Sequence, residues 1–210
     1  MNTKNTLSLM AAPLLLSTLL VGGNTWAEDN PLQFYTNDNG SYAKLTLEAD
    51  LAVFAQGNSH FGNNIYDSES WWESLVRPGV DVNFVMPDKQ SIYGKFDVIQ
   101  ANTFGGNDAA GSNIGYTESA LRIDHAYAGW KSGNLFSTLG EDFLDISFGR
   151  QNYLVGNGFL FASEGGSGWG RPAYWIGGRK SADYAAIIKM KSGKWSGDLV
   201  YFEADDNPDS

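Results

Sequence analysis

The sequence predicts an all-β fold: a transmembrane antiparallel up-and-down β-barrel, present here as an incomplete fragment of about seven strands. Three observations carry this prediction. Every second residue from Ala43 to Ala55 is apolar, while Lys44, Thr46, Glu48 and Asp50 stand between them, and only Ala52 and Phe54 break the polar set before Gln56. That period of two marks a strand with one greasy and one polar face, long enough for the about 9–11 residues a tilted strand needs to cross a bilayer. Similar segments recur down the chain, joined by connections that alternate between short and long. Nearly every segment carries a charge of each sign on its polar side.

The flanks and the composition bound what the strands can be. Met1 to Ala27 reads as a secretory signal peptide, with Lys4, an apolar core from Leu7 to Val21 and a small-residue cleavage site at Thr25-Trp26-Ala27. The expected organisation is therefore a signal over 1–27, a periplasmic lead-in over 28–41, and the N-terminal part of an outer-membrane β-barrel over 42–210. No later run of about 18 apolar residues offers a spanning helix. Cysteine is absent, so stability must come from packing or from a closed sheet. A net charge of −10, or −11 once Lys4 leaves with the signal, argues against nucleic acid as a partner. Abundant glycine (25), scarce proline (6) and 14% aromatics suit strands with tight turns and aromatic girdles.

In chain order, Asn37-Asp38-Asn39-Gly40 reads as a plain turn, since no Glu follows at calcium-loop spacing. Strand one, Tyr42–Gln56, leads into a long loop over 57–72. Ser74–Met86 alternates next, with Pro78 pointing to a bulge or an unpaired end. A tight turn at 87–90 joins it to Ile92–Asn102, which a long loop over 102–117 follows. Ser119–Lys131 alternates less cleanly, and its phase flips near His125. After a connection over 132–142 comes Phe143–Gln151, where Arg150 falls on the apolar register unless a bulge intervenes. A glycine-rich loop covers about 152–172, and Tyr174–Met190 reads as one long strand bent at Gly177 and Gly178. The turn 191–194 and the strand Trp195–Ala204 follow; the odd number of strands is read as an unfinished barrel.

Charges at mid-depth in lipid cost about 2–4 kcal/mol, so those on the polar sides are expected to face a wet interior. With strands about 4.8 Å apart, they can form ladders of ion pairs across the wall. Glu48, Asp50, Asp81, Asp97, Asp124 and Asp183 are the pore-facing acids of these ladders. The same pattern could also serve as the solvated face of a secreted β-sandwich.

Several runs resemble the alginate export family of outer-membrane porins. They are Arg122-Ile123-Asp124-His125-Ala126-Tyr127 with Trp130, the stretch from Gly140 through Ser147-Phe148-Gly149-Arg150-Gln151 to Gly158, and Gly178-Arg179-Lys180-Ser181-Ala182-Asp183. The resemblance covers about residues 43–204 and implies part of a larger β-barrel in the outer membrane of a Gram-negative bacterium. It further implies passive passage of an anionic saccharide or similar solute through a lining of Arg77, Lys95, Arg122, Arg150, Arg179 and Lys189. The partners expected are outer-membrane lipid and that solute.

Other constellations point elsewhere less strongly. Trp130, Trp175 and Trp195 sit near expected strand ends and suit interface girdles, while Trp71, Trp72 and Trp169 fall in expected loops. His125 beside Tyr127 could face lipid, as a membrane phospholipase would need, but no Gly-x-Ser-x-Gly element accompanies it. A secreted carbohydrate-binding β-sandwich is the main alternative. No enzyme activity, no cofactor and no metal site is expected, because no Cys and no His-x-x-x-His pair is present.

Overall fold

The computed structural model describes residues 32–56, 59–61, 64–66, 69–105, 117–156, 158, 172–179 and 181–204. The expected signal peptide, residues 1–27, lies outside them, as does Trp169. The chain is all-β. Its strands are β1 (Gln33–Thr36), β2 (Tyr42–Gln56), β3 (Ser59–Phe61), β4 (Asn64–Tyr66), β5 (Glu69–Val85), β6 (Ser91–Gly105), β7 (Thr117–Lys131), β8 (Leu144–Arg150), β9 (Tyr184–Ser192) and β10 (Trp195–Glu203). Eight of them form one antiparallel up-and-down sheet in the order β1-β2-β5-β6-β7-β8-β9-β10, and β3 with β4 makes a small separate hairpin. The sheet is open, with β1 and β10 as its edges. No helix among the described residues is long and apolar enough to cross a membrane.

The alternation read from the sequence sets the register. Along β2 and β5, Leu45 faces Val80, Leu47 faces Pro78 and Ala49 faces Val76, while Lys44 faces Asp81 and Glu48 faces Arg77. A one-residue slip would put every charge among the apolar residues, so the pairing is strongly specified. Pro78 is accommodated because the ladder to β6 breaks between the Val76–Gln100 and Gly79–Asp97 pairs. The phase flip expected near His125 is a β-bulge: Phe96 pairs with Ala126, yet Val98 pairs with Ile123, leaving Asp124 and His125 opposite Asp97.

Four expectations change. The lead-in contains β1, which hydrogen-bonds to the start of β2, so the sheet has eight strands rather than seven. The loop expected over 57–72 is shorter, because β5 already begins at Glu69 and takes in Trp71 and Trp72. Tyr174–Met190 is not one strand: β9 starts only at Tyr184. Ala173 (φ 57°) and Gly177 (φ 62°) turn the preceding segment back on itself, so it cannot run extended. Trp175 accordingly lies in a turn over the polar face rather than in a girdle.

The distribution of side chains is inverted relative to a water-soluble sheet. Leu47 is 64% exposed and Trp195 74%, with Leu45, Leu51, Val53, Phe96, Ile123, Phe148 and Leu199 exposed on the same face. Glu73, Asp97 and Asp124, in contrast, are fully buried on the other. The connections at one end are tight: the turns 86–90 and 193–194 and the compact 132–143 segment, whose Asn134 N–H donates to Asp88 O at 2.7 Å. The connections at the other end are longer, which is the pattern expected from the sequence.

Candidate functional site

The polar face is built from alternate residues of β2 and β5 to β10, and most of its charges are paired. Lys44 Nζ lies 3.4 Å from Asp81, which also accepts the Tyr42 hydroxyl at 3.2 Å. Arg77 is 6% exposed and holds three acceptors. Its Nη1 is 2.5 Å from Glu48, its Nη2 is 3.1 Å from Asp124, and Nη2 also donates to Gly178 O. Burying a guanidinium is costly, and here both terminal nitrogens meet acceptors while Nε, also buried, has none.

The bulge in β7 assembles the centre of the network. Two successive residues, Asp124 and His125, turn toward Asp97 of β6. The buried Asp97 carboxylate accepts the His125 backbone N–H at 2.8 Å and lies 2.9 Å from His125 Nδ1 and 3.0 Å from Lys95 Nζ. Because an ionised carboxylate only accepts, Nδ1 is the protonated ring nitrogen. His125 therefore points inward and not toward the apolar face, against the lipid-facing placement considered from the sequence. Asp97, Asp124 and His125 bring one ligand atom each within 4.8 Å of one another. Lys95 and Arg77 supply positive charge to those two carboxylates.

The remaining expected lining residues are scattered. Arg122 is exposed on the polar register opposite Ile99. Lys189 is exposed between Asp145 on β8 and Asp198 on β10, with its ammonium 5.9 Å from the Tyr153 ring. Arg179 is half-buried in the turn segment before β9, and Asp50 is half-buried opposite Leu75. Arg150 does fall on the apolar register, opposite Ala126. Gly149, still within the strand, takes φ 122° immediately before it, and Arg150 pairs with Asp183. A Cβ at Gly149 would sit 2.3 Å from Ala126 O, so only glycine fits there.

Two openings lie along this face. One, of about 270 Å³, is lined by Lys95, His125, Tyr127, Ser147 and Lys189 among others, with no carboxylate residue in its lining. The other, of about 720 Å³, lies toward the end with the tight turns, where Asp81, Glu141, Asp142 and Asp145 outnumber Lys89 and Lys131. Tyr93 and Tyr127 line both. At the rim of the wider opening, Glu141 accepts a hydrogen bond from Lys89 Nζ at 2.8 Å, and that bond pushes the ammonium pKa up.

Sequence reasoning missed Glu73. It lies on the polar register of β5, and its carboxylate receives the backbone N–H groups of Trp175 and Ile176. The adjacent Trp71 and Trp72 hid the alternation that would have placed it.

Comparison with protein-family models, curated proteins and solved structures finds no match to this chain.

Proposed function

We propose that this sheet is an arc of a transmembrane β-barrel wall, and that the protein is a passive outer-membrane channel for an anionic saccharide or similar small solute. One observation supports the membrane reading above others: the apolar face carries no charge along β2, β5, β6 and β7. Among the described strands of the sheet, the charged residues on that register elsewhere are Arg150 and Glu203, each at the end of its strand. Its large apolar side chains, Leu47, Leu51 and Val53 among them, are exposed, which leaves lipid as the natural neighbour and weighs against a β-sandwich.

Aromatic pairs mark the limits of the band. Trp72 stacks on Phe104 at 4.3 Å near one end of β5 and β6, and Tyr35 meets Phe84 at 6.2 Å near the other. Trp72 and Phe84 are twelve positions apart. At about 3.3 Å per residue and a tilt near 40° they span roughly 30 Å, the thickness of a bilayer core.

The anionic solute follows from the resemblance set out above and from the cationic lining of the smaller opening. In this mechanism Lys189 and Arg122, both exposed, attract the anion, and neighbouring acids keep the binding weak enough for release. The test is conductance of the full chain in planar bilayers under a salt gradient. Anion preference should fall in the Arg122→Ala/Lys189→Ala double variant. Absence of any pore, or an unchanged reversal potential in that variant, overturns the proposal.

A further inference from the structure

We propose that Glu73 is a positioning residue, fixing residues 172–178 across the polar face as a rigid constriction whose place is set by contacts no solute touches. This rests on the channel reading. The Glu73 carboxylate is 0% exposed. Its Oε2 accepts the N–H groups of Trp175 and Ile176, each at 2.9 Å, and its Oε1 accepts Trp71 Nε1 at 3.2 Å. The strand ladder makes no demand for an acid there: its cross-strand neighbours are Ala52 and Thr103, and a small side chain would keep the register. A buried carboxylate is costly unless donors fill it, and two of these three donors come from the turn.

The rest of the segment is held to the same wall by independent contacts. Thr103 Oγ1 accepts Ala173 N–H at 2.8 Å, and Gly178 O accepts from Arg77. Gly178 lies directly on β5 and β6; a Cβ there would fall 2.3 Å from Leu75 Cδ2 and 3.0 Å from Ile99 Cδ1. The Trp175 ring sits 6.2 Å from Trp71 at 52°, and Trp71 stacks on Phe54 at 5.0 Å. A loop that swung freely in the lumen would leave Glu73 in water and Gly178 without its close contact. The geometry is that of a fixed shelf.

Two substitutions attack opposite sides of the contact. Glu73→Ala removes the acceptor, and Gly178→Val drives a branched side chain into the buried tips of Leu75 and Ile99, crowding the segment against the wall; Glu73→Gln keeps a carbonyl acceptor and is the conservative rescue. In planar bilayers, the Ala and Val variants should raise single-channel conductance by about twofold or more, because flux follows the open cross-section. Both should admit larger neutral polyethylene glycols, while Glu73→Gln stays near the parent. Circular dichroism of the tilted Trp71–Trp175 pair reports docking without needing a pore, and its exciton signal should be lost in both. Parental conductance and polymer cut-off in both disrupting variants overturn the proposal, as does an undiminished exciton signal. If Glu73→Ala does not fold, Gly178→Val decides. If the parent forms no pore, the channel reading fails, and the dichroism still judges the clamp.

Discussion

Placing arginine on the apolar face separates a lipid-facing wall from a water-facing one. Leu47 is the position of choice: it is exposed, stands in the middle of β2, and pairs with Pro78, midway between Trp72 and Phe84 on the next strand. If that level is the bilayer midplane, Leu47→Arg should cost about 2–4 kcal/mol of folding stability in lipid vesicles. At about tenfold per 1.4 kcal/mol, the folding constant falls by roughly 30- to 700-fold. Val53→Arg is the internal control. Val53 pairs with Trp72, at the expected interface, where the same charge costs only about 0–1 kcal/mol. Urea titration of the protein refolded in vesicles measures both. A water-exposed face predicts no depth dependence and changes of about 0.5 kcal/mol or less at either site. Equal, small effects at Leu47 and Val53 would refute the argument that this face meets lipid.

Two further outcomes test local features. Gly149→Val places a branched side chain at φ 122° against Ala126 O and should destabilise the sheet by about 1–3 kcal/mol, read as a lower urea midpoint. At the tight-turn end, hydrogen bonding to Glu141 raises the Lys89 pKa in the folded state. A raised folded-state pKa contributes stability that is complete below the ordinary lysine range and is lost only as pH climbs through the raised value. The stability difference between parent and Glu141→Gln should therefore stay constant from about pH 6 to about pH 9 and shrink only in stronger alkali; a difference that changes across the neutral range contradicts this assignment.

The parts of the fold legible in the sequence were those written into a single strand. β2 could be read residue by residue, because a strand buried on neither face in the usual sense still separates lipid-compatible from water-compatible side chains with period two. The β7 bulge was visible as a blurred phase, and the Arg150 misfit as a break in register, although neither revealed its partner. What stayed hidden depends on contacts between residues far apart. Nothing local in Ala173–Gly178 announces that its N–H groups end on Glu73, a hundred residues earlier in rough terms. Trp175 looked like a girdle residue because aromatic identity alone does not tell a membrane interface from a tilted contact against Trp71. β1 was missed because four exposed residues after a polar stretch carry no alternation long enough to register.

The same long-range pairing changes what Arg77 can do. The sequence offers it as a lining cation, but its Nη1 and Nη2 already hold Glu48, Asp124 and Gly178 O beneath the 172–178 segment. A solute would have to displace two carboxylates to reach it. Removing it takes the Arg77 guanidinium from the fully buried Asp124, which also lies 3.4 Å from His125 Nδ1 and accepts the Ser181 N–H at 3.4 Å. Breaking a buried pair from one side costs about 3–5 kcal/mol, since the remaining charge stays behind uncompensated. Arg77→Ala should therefore lose stability on that scale, with Arg77→Lys intermediate because one ammonium cannot fork between Glu48 and Asp124. On the channel reading, the variants that do fold should keep the parental anion preference, because the exposed Arg122 and Lys189 remain in place. A stable Arg77→Ala protein with altered ion selectivity would reverse the assignment and make Arg77 a solute contact; lost stability with unchanged selectivity makes it the joint between wall and shelf.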